Sequence, residues 1–348
     1  MTQPRSTRAL LELTQYRAPG PALDVGSFQG AVARALSGIY ANVDLTACEA
    51  ARQAGTPDVR HTDMLPDGPF GTIAFDAREY DPGLAAETVA AAAARLAPGG
   101  VLLTTARPAD VRACFASVSV QESGEALVAR SPRPAPAEFV APWSGYEADF
   151  GGQTYRLLTG PGVFAPRGMD AGTRFMLAQI QSEPGARFLD LGSGIGVVSR
   201  IASEAWGCQA TAVDVNARAL RLTALNAPQA EVVAGDGFGA LTGREFDIIA
   251  SNPPYHTDYA VGKAFIEGAY AHLAIGGKLY LVVKRADWYV QKVRHIFGGC
   301  RVAEQDGYTV IITERRAAET RKAGPAGAPA TTRKHAKRLE EAARKKRR

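Results

Sequence analysis

From about residue 186 onward the chain alternates short apolar runs with helically spaced ones so regularly that few folds can hold it. Residues 186–192 (ARFLDLG) form a strand-like run ending in glycine, and VVSRIASEA follows with helical spacing. Residues 209–215 (QATAVDV) read as a second strand and 217–227 (ARALRLTALNA) as a second helix. Further strands are expected at 230–236 (AEVVAGD), at 246–255 (FDIIASNPPY, running into a loop) and at 278–284 (KLYLVVK). Strands separated by helices require a parallel sheet covered on both faces. Right-handed crossovers then make it a doubly wound α/β domain.

The first part of the chain repeats this pattern in worn form. Residues 22–34 (ALDVGSFQGAVAR) align with 188–200 (FLDLGSGIGVVSR), matching Asp24 to Asp190, Gly26 to Gly192 and Gly30 to Gly196. Residues 95–103 (RLAPGGVLL) echo 272–280 (HLAIGGKLY), and 70–79 (FGTIAFDARE) lie where the second half has 246–255. The expected organisation is two copies of one Rossmann-like fold. One occupies 1–130 and is degenerate, and the other occupies 143–316. A proline-rich linker, 131–142, joins them, and a tail, 317–348, follows. The alternating prolines of SPRPAPAEF favour an extended, semi-rigid connection. A length of 348 residues suits two domains better than one.

Charge is unevenly placed. Residues 315–348 hold thirteen Lys/Arg against three Glu, a net of +10, whereas the whole chain carries +5, so the preceding residues sum to −5. A mildly acidic body with a basic, disordered tail is the expectation, the tail being suited to phosphates of a nucleic acid. The four cysteines, Cys48, Cys114, Cys208 and Cys300, are far apart and form no C-x-x-C pair, so neither a disulfide framework nor a metal site is expected. No apolar run approaches the roughly 20 residues that span a bilayer, and the N-terminus lacks the hydrophobic region of a signal peptide. A cytoplasmic protein without a membrane partner is therefore expected.

The second copy carries the chemistry-bearing residues. Asp190-Leu-Gly192-Ser-Gly194-Ile-Gly196 follows a strand and opens a helix, and its glycines let the backbone turn and approach a ligand without a Cβ in the way. Alone, this motif also suits a dinucleotide pyrophosphate. Asp214 ends the second strand, where a carboxylate can accept from both hydroxyls of a ribose, as in nicotinamide enzymes. Asp236-Gly237 ends the third, where an acid can accept from an adenine amino group and glycine leaves room for the ring. Nothing in this set demands a pyrophosphate.

Asn252-Pro253-Pro254-Tyr255 follows the fourth strand. A planar NH2 group has a delocalised lone pair and is a poor nucleophile. Accepting hydrogen bonds from both N–H groups localises the pair, and the Asn252 side-chain carbonyl with the Pro253 backbone carbonyl can do this. Two prolines hold the loop rigid, and Tyr255 can stack on a planar target. Such chemistry rests on positioning rather than on a strong base. Asp76-Ala-Arg78-Glu79 occupies this slot in the first copy and has neither the amide nor the prolines, so no transfer is expected there. Asp170-Ala-Gly172-Thr173-Arg174 is expected to open a helix beside the pocket, with Thr173 either capping it or touching the ligand. His256 is not expected to act as a base.

The C-terminal half resembles class I S-adenosylmethionine-dependent methyltransferases, and more narrowly the bacterial ribosomal RNA guanine-N2 methyltransferases of the small-subunit methyltransferase C family. The residues that carry the likeness are 158–177 (LTGPGVFAPRGMDAGTRFML), FLDLGSGIGVVS, VDVN, GDGF, SNPPYH and HLAIGGKLYLVV. The two tandem copies, the first degenerate, also match. The resemblance implies that Gly192, Gly194, Asp214, Asp236 and Asn252 contact S-adenosylmethionine, and that Asn252 to Tyr255 hold a guanine. Asp190, Gly196 and Gly237 complete the expected cofactor site, with no metal. The expected partner is ribosomal RNA or a ribosomal subunit, its target base unpaired or swung out. Adenine N6 and a release-factor glutamine need the same lone-pair logic and remain alternatives. A non-catalytic RNA-binding or ribosome-assembly protein and an NAD-dependent enzyme are readings from other classes.

Overall fold

The computed structural model describes residues 3–120, 125–132, 143–254 and 259–317. Two seven-stranded sheets dominate it. The first contains β1 (Ala22–Val25), β2 (Ile39–Asn42), β3 (Val59–His61), β4 (Phe70–Phe75), β5 (Leu96–Thr104), β6 (Phe115–Val120) and β7 (Leu127–Pro132), in the order β3-β2-β1-β4-β5-β7-β6. A two-stranded hairpin, β8 (Ser144–Phe150) and β9 (Gln153–Thr159), follows. The second large sheet contains β10 (Arg187–Leu191), β11 (Gln209–Asp214), β12 (Glu231–Ala234), β13 (Phe246–Ser251), β14 (Leu273–Val283), β15 (Arg301–Gln305) and β16 (Tyr308–Glu314). Its order is β12-β11-β10-β13-β14-β16-β15, the same topology as the first. The repeat legible in the sequence is thus a repeat of the fold.

Helices α1 (Arg5–Leu13), α2 (Ala31–Leu36), α3 (Leu45–Gln53), α4 (Pro82–Arg95) and α5 (Pro108–Cys114) accompany the first sheet. Helices α6 (Ala171–Leu177), α7 (Val197–Glu204), α8 (Ala217–Asn226), α9 (Tyr259–His272) and α10 (Ala286–Phe297) accompany the second. Their ends follow from local chemistry. Asp81 caps α4 by accepting from the Gly83 and Leu84 amides, with Pro82 in the first turn. Asn216 caps α8 in the same way through the Arg218 and Ala219 amides. The central strands β1 and β4 are buried at every residue, as a sheet covered on both faces requires. Each large sheet accordingly has a separate apolar core on either side, Phe188 and Tyr280 belonging to one face of the second sheet and Leu189 and Leu281 to the other.

Each sheet also ends in an antiparallel pair, which the reading of the sequence as a purely parallel sheet lacked. β15 and β16 meet at Asp306-Gly307, both with positive φ (51° and 77°), the pairing that a tight two-residue hairpin needs. β14 starts at Leu273, earlier than its apolar run, because a bulge lets Leu273 pair with Phe246 ahead of the regular ladder. β7 runs through Pro132, so the first two residues of the segment read as a linker belong to the sheet. Beyond Arg130 this strand no longer pairs with β5, where a proline costs no hydrogen bond. Residues 133–142 and the basic segment 318–348 lie outside the described residues. Among the described residues no helix is long and apolar enough to cross a membrane, and no group of His, Cys, Asp and Glu is placed to hold a metal ion. The four cysteines are free, Cys48 and Cys208 being buried.

Candidate active site

A cavity of about 730 Å³ opens at the carboxyl ends of β10, β11 and β13, where open α/β sheets bind their ligands. The glycine-rich turn forms one wall. Gly192 and Gly194 have φ of 78° and 55°, and a Cβ built on either would meet nothing within 4 Å. These two glycines therefore leave an open cradle in front of the backbone. Gly196 does not line the cavity. A Cβ there would come within 3.0 Å of the Thr223 Cα, so this glycine lets α7 approach α8.

Asp190 has its carboxylate turned inward. Its Oδ2 accepts from the Ser199 amide at 3.0 Å and the Ser199 hydroxyl at 2.6 Å, tying β10 to the first turn of α7. Burial pushes its carboxyl up to about 6. Asp214, at the end of β11, accepts from the Gly194 amide at 2.8 Å and the Asn216 amide at 2.9 Å, so it braces the glycine turn directly. Burial raises its carboxyl despite those amide donors. Asp236 and Gly237 lie on the same wall beyond β12, Asp236 exposed and Gly237 at φ 71°. Val261 and Phe265 of α9 supply apolar wall beside them.

Asn252 and Pro253 close the floor. The Asn252 Nδ2 donates to Asp170 Oδ2 at 3.1 Å and to Thr173 Oγ1 at 2.9 Å, which fixes which way round the amide sits. Asp170 is also the N-cap of α6, accepting from the Thr173 amide at 2.9 Å, and its Oδ1 accepts from the Tyr308 hydroxyl at 3.1 Å. Tyr308 reaches it because residue 172 is glycine, since a Cβ there would come within 2.4 Å of the tyrosine ring. The DAGTR segment thus does two things at once: it caps a helix and orients Asn252. The helix start was legible, but the capping side chain is Asp170 rather than Thr173, which lends its amide to that cap and its hydroxyl to Asn252. Tyr308 gave no signal in the sequence. Pro254 sits at the rim, and Tyr255 and His256 lie outside the described residues.

The N-terminal lobe contributes to this cavity through Asp44 and Thr46, which the sequence did not point to. The two lobes meet where β2 and β11 end. The Leu45 amide donates to the Val215 carbonyl at 2.9 Å and the Ala217 amide to the Val43 carbonyl at 2.7 Å, a reciprocal pair. His61 Nε2 lies 2.9 Å and 2.8 Å from the carbonyls of Val43 and Val215, so that nitrogen carries the proton. Beside the joint, Arg218 pairs with Glu87 at 2.6 Å with side chains 2% and 14% exposed, and its guanidinium lies over Trp143. Burial raises the Glu87 carboxyl in spite of Arg218.

Comparison with known proteins agrees with this geometry. Residues 154–312 match the methyltransferase small domain. The ribosomal RNA small subunit methyltransferase C of Sodalis glossinidius is 35% identical over 195 residues, 52% of this chain and 55% of that protein. The protein of the same name from Pseudomonas aeruginosa is 36% identical over 170 residues, 46% of this chain and 51% of its own length. The chain thus spans about half the length of the curated relatives it matches. A solved T. thermophilus 16S rRNA N2 methyltransferase in complex with AdoMet and guanosine superposes with a TM-score of 0.78, covering 90% of this chain and 92% of that one at 20% identity. The C-terminal lobe has the class I methyltransferase fold. At that identity the superposition establishes architecture, and it covers both lobes. In sequence the likeness to the methyltransferase C family is confined to about half of the chain.

Proposed function

We propose that this chain methylates the exocyclic N2 of a guanine in ribosomal RNA of the small subunit, with S-adenosylmethionine as donor. The observation that carries the reading is the Asn252 amide. Its Nδ2 is fixed by Asp170 and Thr173 in a cavity that is also lined by the glycine cradle and by Asp214, which holds that cradle through the Gly194 amide. The names of the curated relatives, and the guanosine in the superposed structure, support the choice of base and substrate.

The residues fit a nucleoside-bearing donor. Gly192 and Gly194 leave space that any side chain would fill. Asp214 and Asp236 present carboxylates to ribose hydroxyls and to an adenine amino group, and Gly237 with Phe265 leaves a flat apolar slot. S-adenosylmethionine, when bound, supplies a methyl group already activated by the positive sulfonium. The protein's own work lies in placing the acceptor. With Nδ2 pinned, the Asn252 carbonyl and the Pro253 carbonyl accept from the two N–H groups of the guanine amine. That localises its lone pair, and Pro253 and Pro254 keep both acceptors still. Tyr255 follows in sequence to stack on the ring. The base must be unpaired or swung out to enter. The N-terminal copy, 1–130, lacks these groups and serves the catalytic copy, 143–316, by bracing it. The basic segment 317–348 adds salt-sensitive phosphate affinity. With ribosomal RNA as substrate, the protein works in the cytoplasm.

The test is transfer of labelled methyl from S-adenosylmethionine to small subunits, large subunits, naked ribosomal RNA and release factor, followed by nucleoside and peptide analysis. N2-methylguanosine in small-subunit RNA, lost with Asn252→Ala, is the expected result. Label in adenine or in a glutamine would move the chain to another acceptor. No label, with donor binding intact, would overturn methyl transfer to these substrates.

A further inference from the structure

Beyond the target pocket, the first turn of α9 carries an aromatic pair that the methyl-transfer site does not use. Tyr259 begins the helix and is 47% exposed. Its ring stacks on Trp288 in the first turn of α10, with centroids 4.5 Å apart and planes 28° from parallel. Trp288 is held in turn by an edge contact with Tyr289 at 5.0 Å. Tyr289 packs against Gly262 so closely that a Cβ there would come within 2.5 Å of its ring. The pair is therefore fixed from behind while Tyr259 remains open to solvent, an arrangement with no evident use in a core.

Its position gives it one. Trp288 stands in the first turn of α10, just beyond β14, and β14 pairs in parallel with β13, which runs directly into Asn252, so the aromatic pair lies at the same edge of the sheet as the target loop. The surroundings are basic. Lys284 and Arg285, both exposed, immediately precede α10, and Lys263 is exposed one turn along α9, with Asp287 the acidic residue of the α10 first turn.

A pre-ordered aromatic face beside cationic side chains is how single-stranded nucleic acid is bound, through base stacking and phosphate contacts. We propose that Tyr259, backed by Trp288, is a stacking platform for the base next to the target guanine. On this view Arg285 meets the intervening phosphate, the Lys284 ammonium being seated 4.9 Å over the Tyr308 ring. The proposal rests on the RNA-modifying reading of the cavity and extends it from one nucleotide to two. A base swung out of a helix loses its stacking partner, and so does its neighbour. The platform replaces the neighbour's partner and so offsets part of the cost of opening the strand.

The experiment measures binding of a fluorescently labelled single-stranded RNA heptamer with a central guanine to the full chain, in saturating S-adenosylhomocysteine, by anisotropy. Methyl transfer to ribosomal RNA is assayed in parallel. One stacked base is worth about 1–3 kcal/mol, so Tyr259→Ala weakens RNA binding by about 5- to 150-fold. Tyr259→Phe and Trp288→Phe stay within about 3-fold of the parent because they keep a stacking face. S-adenosylhomocysteine affinity is unchanged in all three. Heptamers abasic at one neighbour of the guanine separate stacking from folding. One of the two abasic RNAs loses the same factor on the parent protein and nothing further on Tyr259→Ala. Unchanged RNA affinity in Tyr259→Ala, or an equal loss with both abasic RNAs, sinks the platform while transfer by the parent leaves the function standing. A parent chain that neither binds the heptamer nor methylates RNA sinks both.

Discussion

The two lobes share a topology and several hydrogen bonds, yet the candidate active-site cavity is built on the strand ends of the second. Asp24 accepts from the Ala33 amide at 2.8 Å as Asp190 accepts from the Ser199 amide, nine residues on in each case. Asn42 takes the place of Asp214 and, like it, accepts from the amide two residues ahead, at 2.9 Å. Register aligns Phe75 with Ser251 through their partners on β1 and β10, which places Asp76 where Asn252 stands. Each is held by a threonine of the preceding helix, Thr7 at 2.8 Å and Thr173 at 2.9 Å. The lobes part company in what fills the space. Phe28 replaces Gly194, and the Tyr80 ring approaches so closely that a Cβ on Gly26 would be 2.9 Å from it. Asp76 is 2% exposed and saturated by Ser6, Thr7 and Thr105. The bonds common to both lobes therefore serve the fold as well as the site, and Asp190, tied to α7, also lines the cavity. What distinguishes a site is the pair of empty glycine positions and an amide in place of a satisfied acid.

That division can be attacked from either lobe. Asn252→Ala should cost methyl transfer about 10²- to 10³-fold, the loss usual for one acceptor or donor aimed at the reacting group. Donor affinity should change little. Asp76→Ala should leave transfer within about 3-fold while lowering the melting temperature, because it strands buried hydroxyl donors. Comparable losses of transfer in both variants would erase the distinction between the lobes. Removing the charged contact across the joint should be nearly as costly to stability. Arg218→Ala leaves Glu87 buried without its partner and should destabilise by about 3–5 kcal/mol. Arg221→Ala breaks a pair with Asp63 in which the arginine is 41% exposed, and should cost under about 1 kcal/mol. Denaturant titration of the full chain measures both.

Making the second lobe resemble the first is the next test. Gly194→Phe puts the side chain of Phe28 into the cradle at a positive φ, and should weaken S-adenosylhomocysteine binding at least about 100-fold by filling the site. The far-ultraviolet spectrum should not change. Calorimetric affinity near that of the parent would show that the open space at Gly194 is not the donor's. The last effect concerns acid. Burial lifts the Asp24 carboxyl from 3.8 to about 6, so the folded state takes up its proton more readily than the unfolded chain. Asp24 therefore contributes most below the unfolded value, and its contribution falls as pH rises through about 6. The stability of Asp24→Asn relative to the parent should rise by about 2–3 kcal/mol between pH 4 and pH 6 and then level off. A flat difference across that range would mean the carboxylate is not destabilised by burial.

Much of this architecture was legible in the chain. Alternating strand and helix periods, the glycine turn and the aligned repeat specify two doubly wound sheets because these signals are local and repeat every few residues. The tight turn at Asp306-Gly307 was there to be read, but β15 on one side of it is almost wholly exposed and lacks the continuous apolar run of the central strands. Asn252, Asp214 and Gly194 could be singled out because each stands at a strand's end, where open α/β sheets bind their ligands. Only the tertiary structure divides their labour. The Tyr308–Asp170–Asn252 chain joins residues separated by 138 and 82 positions. The reach of Asp44 and Thr46 into the cavity depends on how the lobes dock. No periodicity encodes such contacts, since they arise when separate elements, each specified locally, pack at distances the sequence does not record. The sequence by itself determined the two sheets and the residues at their edges, and packing decided which edge stays open and which way its asparagine faces.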